Sequence, residues 1–218
     1  MSAPRAKSPD KRRLILDAAV KVFARQGFHA CRVSDIADEA GVAYGLVYHY
    51  FASKDEVLDT LFLERWNVML DTIREVDTHA IPVREKLWAI ASFIVESYRH
   101  DPDLMKVIIV EVTRAANSFG QTHIGQIREA YNLIAQIVTQ AQAEGSFKAD
   151  IDAAFAAMAF YGAIEQMLTG WIFGLLPEDE EYFERAKWLV VETVCGGLEA
   201  GPAGNGTSTA VHGASATE

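Results

Sequence analysis

The stretch VSDIADEAGVAYGLVYHYFASKDEVL, residues 33–58, decides the fold. Val33, Ile36, Ala37 and Ala40 recur at helical spacing, and Gly41 follows at once. Leu46, Val47 and Tyr50 then resume the same period, with Phe51 behind them. Two short helices that cross at a tight turn need a small residue where their backbones approach, and Ala37 supplies it. They also need a residue that accepts positive φ at the end of the first helix, and Gly41 does so. Ile36, Val42, Val47 and Tyr50 are spaced to hold the pair on a third helix. The second short helix then keeps an outer face of Tyr44, Gly45, Tyr48 and His49. That face is polar, aromatic and nearly uncharged, which suits base edges and phosphates. An ordinary helical hairpin has the same spacing, so the spacing alone leaves both readings open.

Upstream, Leu14, Ile15, Ala18, Ala19, Val22 and Phe23 form one helical stripe closed by Gly27. Downstream, Ser53 and Glu56 make a capping-box pattern ahead of Val57, Leu58, Leu61 and Phe62, predicting a fourth helix to about Val76. A connection over His79–Val83 and a fifth helix over Arg84–His100 follow. Asp101-Pro102 opens a sixth helix, which Asn117–Gly120 breaks, and a seventh runs from about Thr122 to Glu144. Asp150 is placed to cap an apolar eighth helix that stops at Pro177. The acids after Pro177 suit the positive end of a ninth, which ends at Gly196-Gly197. No alternating strand pattern is found. The expected fold is all-α. It divides into a flexible basic arm (1–9), a helix-turn-helix unit (10–55), a helical body (56–198) and a disordered Gly/Ala/Ser/Thr tail (199–218).

The 218 residues are 50% hydrophobic and 23% charged, enough apolar content to build a real core and too much for a disordered chain. Net charge is −10, yet residues 1–54 carry nine Lys/Arg against five acids, while the remainder carries eleven against twenty-five. A basic head on an acidic body suits a protein that meets a polyanion at one end. Cys31 and Cys195 lie far apart and outside any CxxC, and the first 30 residues hold no apolar leader segment, so a cytoplasmic location is expected. Ala153–Leu176 carries only Glu165 as a charge, but acids flank it on both sides. It is read as a buried helix and not a membrane span.

The run Gly41–Leu58 resembles the signature of the TetR family of bacterial one-component regulators: Gly41-Val42, Gly45, Tyr48, Tyr50-Phe51, Lys54 and Val57-Leu58. The strict likeness covers roughly residues 10–60. It implies a dimer on a pseudo-palindromic double-stranded DNA operator, with Tyr44, Gly45, Tyr48 and His49 in the major groove and Lys54 on the DNA backbone. Where the family usually has Ser or Thr near positions 31, 32 and 43, this chain has Cys31, Arg32 and Ala43. The phosphate contact of that region is therefore expected from Arg32 and Ser34. Tyr50 and Phe51 are expected in the core.

The body is expected to dimerise and to sense a small molecule. The eighth helix is apolar on every side, and Gly170-Trp171-Ile172-Phe173-Gly174 permits close approach, so Gly170, Trp171 and Gly174 are placed at a homodimer interface. Trp66, Trp88, Phe93, Tyr131, Phe155 and Met158 would line an apolar ligand pocket, with Arg114, Asn117, His123, Arg128 and Glu165 to orient the ligand. Gly162–Trp171 and the Glu144–Lys148 loop are similar to the fatty-acid-degradation regulators of the family. That likeness implies release from DNA by a long-chain acyl-CoA or fatty acid; a drug-responsive repressor of an efflux pump is the alternative. No cofactor is expected. The six histidines show no HxxxH or ExxH, and GxSxG, P-loop and dinucleotide fingerprints are missing, so neither catalytic nor metal-binding residues are assigned and an enzyme is not expected.

Overall fold

The computed structural model describes residues 11–111 and 119–198; the expected arm and tail, with Arg114 and Asn117, lie outside them. The head is α1 (Lys11–Gln26), α2 (Val33–Ala40) and α3 (Tyr44–Tyr50). The body is α4 (Lys54–Thr78), α5 (Val83–His100), α6 (Pro102–Lys106), a π-helical turn (Val107–Glu111), α7 (Phe119–Ala143), α8 (Ala153–Ile172) and α9 (Glu180–Leu198). Among the described residues there is no strand, as the periodicity predicts.

The head closes on itself. Gly41 sits at φ +63° and its N–H bonds Asp38 O, while Val42 N–H bonds Ala37 O, ending α2 and turning the chain into α3. Ile15, Leu16, Ala19, Phe23, Ile36, Ala37, Val47 and Phe51 are buried together with Val57 and Leu58 at the start of α4. Ser53 Oγ accepts from Glu56 N–H and caps α4 as expected, while the Glu56 carboxylate accepts from Ala52 N–H, one residue before the cap. Arg12 bonds Glu64 at 2.8 Å, tying α1 to the long helix that leaves the head.

In the body α7 packs on α4 and α8, α5 on α4 and α9, and α8 on α9. Several helix ends fall elsewhere than expected, each for a local reason. Asp152, not Asp150, caps α8, its Oδ1 accepting from Phe155 N–H at 2.7 Å. The helix stops at Ile172 rather than Pro177, because Gly174 takes φ +66° and Leu175 N–H turns back to Gly170 O. Gly196 and Gly197 lie inside α9, since Lys148 N–H bonds Leu198 O at 2.7 Å and Lys148 Nζ bonds Gly197 O at 2.9 Å. Residue 120 is helical in α7, so the expected break covers at most the undescribed 112–118. No helix of the described residues is long and apolar enough to cross a membrane.

Candidate DNA-binding surface and ligand cavity

α3 shows why the signature has its spacing. Val47 is buried against the head and Tyr50 half-buried, so Tyr44, Tyr48 and His49 are left outside. Tyr44 and Tyr48 are 54% and 45% exposed, a large aromatic area for a helix to leave in water. Their rings meet edge-to-face at 5.2 Å, and the Tyr44 hydroxyl donates to that of Tyr48 at 3.2 Å. That bond raises the Tyr48 pKa, with burial and the Tyr44 charge adding to it, so the Tyr48 phenol stays protonated at neutral pH. At Gly45 a Cβ would meet nothing within 4 Å. The glycine is not demanded by this chain's own packing, which fits a body outside it coming close. Arg32 is exposed at the start of α2, its N–H held by Asp35 at 2.8 Å, and Ser34 lies in the following turn.

Lys54 behaves differently from the expectation. Its Nζ donates to the carbonyls of Phe28 (2.7 Å), Cys31 (3.1 Å) and His29 (3.3 Å) and sits 4.6 Å from the Phe28 ring centre. The side chain thus ties the α1–α2 loop to the start of α4. The sequence shows the lysine but not the carbonyls, which reach it only in the fold. Other head cations are likewise engaged: Arg13 with Asp17 at 2.8 Å, Arg25 with Glu39 at 3.3 Å and Lys21 with Glu39 at 3.9 Å.

The body holds a narrow apolar cavity of about 20 Å³, lined among the described residues by Arg65, Trp66, Met69, Ile94, Met105, Ile108, Ile109 and Tyr161. Of the expected pocket residues that are described, only Trp66 is in that wall; its indole N–H bonds Gln126 O at 2.9 Å and its ring stacks on Phe62. Tyr131 packs edge-on against Tyr161, one layer behind. Phe93 lies under the Arg65 guanidinium at 4.7 Å; burial lowers the Arg65 pKa, with Asp101 opposing. His123 is buried between Asp59, 3.0 Å away, and Phe62, a seam of α4 and α7 rather than the cavity wall.

Four expected pocket residues face outward. Phe155 and Met158 are 68% and 57% exposed, Trp88 is 45% exposed, and Arg128 is also at the surface. The all-apolar pattern of α8 could not say which side the core takes: Ala156, Ala157, Phe160, Tyr161, Ile164, Leu168 and Trp171 face in. The residues sequence reasoning missed come from α4, α5 and the α6–π segment, where an inward-facing Met69, Ile94 or Ile108 looks like any core residue.

Glu165, one turn beyond Tyr161, is half-buried, and burial raises its pKa. Its carboxyl makes no hydrogen bond or ion pair to another described residue, and its charge helps raise the pKa of Tyr131 and Tyr161. A second, larger opening of about 550 Å³ lies between head and body, lined by α1, α4 and the Asp101–Leu104 turn. Its charges are mixed, Arg13, Lys21 and Arg65 against Asp17, Glu64, Asp101 and Asp103, so it does not make an anion site.

The expected dimer residues Gly170, Trp171 and Gly174 serve the chain itself. A Cβ on Gly170 would lie 2.5 Å from Leu176 Cδ1, so the glycine makes room for the returning α8–α9 loop. Trp171 is buried, bonds Pro177 O at 2.9 Å and packs on Tyr98 and Phe183. Gly174 supplies the left-handed turn.

A helix pair with an exposed tyrosine face, carried by a larger helical body, is the architecture of a DNA-binding regulator. Residues 15–61 match the family of bacterial regulatory proteins of the tetR type, and residues 62–182 match the YsiA-like C-terminal region. The chain belongs to the TetR family and is a transcriptional regulator; its fold and relatives are those of regulators, not of enzymes. It is 31% identical over 169 residues to the fatty acid metabolism regulator protein of Bacillus subtilis, covering 77% of this chain and 84% of that one. It is 27% identical over 143 residues to the transcriptional repressor KstR2 of Rhodococcus jostii, covering 65% of this chain and 70% of that one. The fold matches the FadR regulator of Bacillus subtilis solved with stearoyl-CoA at a TM-score of 0.76 and 28% identity, over 86% of this chain and 99% of that one. The fatty acid degradation regulator FadR of Bacillus halodurans gives 0.78 and 28%, over 88% and 98%.

Proposed function

We propose that the protein is a repressor of lipid-metabolism genes, a two-fold dimer on a pseudo-palindromic operator that a long-chain acyl-CoA releases. The observation that carries this reading is the cavity between α4, α5, α6 and α8. It is lined by apolar side chains and lies in a chain similar along most of its length to a regulator solved with stearoyl-CoA. In the reading, Tyr44, Gly45, Tyr48 and His49 enter the major groove, and Arg32 and Ser34 meet phosphate. The dimer forms through α8 and α9. Phe155, Met158, Trp188 and Leu189 are exposed there, large apolar side chains that a partner chain would cover. Gly162, Gly196 and Gly197 on the same helices have nothing of this chain within 4 Å of a Cβ position. Ligand and operator oppose each other by linkage, each weakening the other by the same factor.

Fluorescence anisotropy of the DNA upstream of the protein's own gene, with and without stearoyl-CoA, tests it. Binding that micromolar stearoyl-CoA abolishes is expected. Binding that no acyl-CoA alters would discard the effector. Glu165 favours one other effector class, since a carboxylate beside Tyr131 and Tyr161 suits a lipophilic cation of the kind an efflux repressor senses. A quaternary ammonium dye added to the same assay distinguishes the two.

A further inference from the structure

Met105, Ile108 and Ile109 form one wall of the apolar cavity. Lys106, inside that same segment, points away from it. Its Nζ donates to the carbonyl of Ala24 at 2.9 Å, a contact from body to head across 82 residues of sequence. Ala24 stands in the last turn of α1, where helix carbonyls run out of N–H partners of their own. The chain then passes into the loop 27–32, whose carbonyls at Phe28, His29 and Cys31 are held by Lys54 of α4. Two lysines, each on a helix that lines the cavity, thus hold the end of α1 and the start of the helix-turn-helix. Leu104 faces the α1 residues Val20 and Lys21 across the cleft. The helical pitch also changes here, from α to π at Val107, and π turns concentrate at functional positions.

We propose that Lys106 is a positioning residue that couples the filling of the cavity to the placement of the DNA-binding head. About 20 Å³ does not hold an acyl chain, so any sizeable occupant displaces Met105, Ile108 or Ile109. A packed wall shifts as a unit, and Lys106 carries the end of α1 with it. The proposal rests on the effector reading above for its natural trigger; the geometry itself requires only that something enlarge the cavity.

The test uses the full chain and an operator fragment that the protein selects from genomic DNA. Stearoyl-CoA binding is read by tryptophan fluorescence, operator binding by anisotropy, and the coupling factor from the two together. Lys106→Met is expected to bind stearoyl-CoA as the wild type does, while its coupling factor falls at least about tenfold and Lys106→Arg restores it. Wild-type coupling in Lys106→Met overturns the proposal. If stearoyl-CoA does not bind the wild type, the effector reading falls, and overpacking the wall decides the lysine's role instead. Ile108→Phe, or Ile109→Phe should the first not fold, is then expected to weaken operator binding at least about tenfold with Lys106 present and less than about threefold with Lys106→Met. No weakening, or equal weakening in both backgrounds, overturns the proposal.

Discussion

At the scale of single residues, the exposed tyrosines of α3 are the clearest link from sequence to function. Tyr48 is 45% exposed; its hydroxyl accepts from Tyr44, leaving its own proton free to donate. Tyr48→Ala is therefore expected to abolish operator binding while leaving the thermal transition unchanged, and near-normal affinity at physiological salt would remove Tyr48 from the interface. Glu165 has a cost that pH exposes. Burial raises its pKa above the usual 4.5, so the folded chain holds this proton more tightly than the unfolded chain. Its contribution to stability is full below pH 4.5 and is lost as pH rises through the raised value. Glu165→Gln keeps the shape without the charge. The variant is expected to melt higher than wild type at about pH 7 and no differently at about pH 4, measured by circular dichroism. A variant less stable at neutral pH would mean that the carboxylate is paired in solution.

At the scale of elements, the corner between α8 and α9 separates two roles that the sequence merges. Gly170, Trp171 and Pro177 build the corner, while Phe155, Met158 and Trp188 stand on the open faces of the same two helices. Gly170→Ala sets a methyl against Leu176 and is expected to cost about 1–3 kcal/mol by overpacking without altering association. Trp188→Glu is expected to give a stable monomer, because Trp188 is 54% exposed and its loss leaves the core intact. Light scattering beside thermal unfolding checks both. A dimeric Trp188→Glu protein would move the interface elsewhere. α9 is fixed to α5 independently of any partner chain. Lys187 is buried with Glu96 and Glu184 as partners, and Arg84–Glu192 and Arg99–Glu180 flank it. Burial lowers the Lys187 pKa, but those carboxylates outweigh it, so the lysine stays charged.

At the scale of the molecule, the polar contacts between head and body among the described residues include Arg12 and Arg13 on Glu64, Lys54 on the carbonyls of Phe28, His29 and Cys31, and Lys106 on Ala24. The mixed-charge cleft between them leaves the head room to tilt. A regulator needs such a joint, stiff enough to place a recognition helix and loose enough for a bound ligand to shift it by its differential affinity for two states. In the proposed reading, the narrow cavity beside this joint puts the ligand site next to the head that it shifts.

The head was legible because its signals are local. Gly41, the Ser53–Glu56 cap and the Val33–Tyr50 spacing each act within four residues, and local rules therefore place α2, α3 and the start of α4. The all-α body followed from the same periodicity and caps. Which side of α8 turns inward was not legible, because a helix apolar all round has no preferred face until its neighbours arrive. The surroundings of Lys54 were not legible for a related reason. A long ammonium takes whichever acceptors lie nearest, and those carbonyls, at Phe28, His29 and Cys31, come to it across 23 or more residues. The sequence by itself determined the elements and the recognition helix, whose interactions are short in range. Only the tertiary structure decided the cavity wall, the inward lysine and the outward Phe155 and Met158, because each depends on packing between segments far apart in the chain.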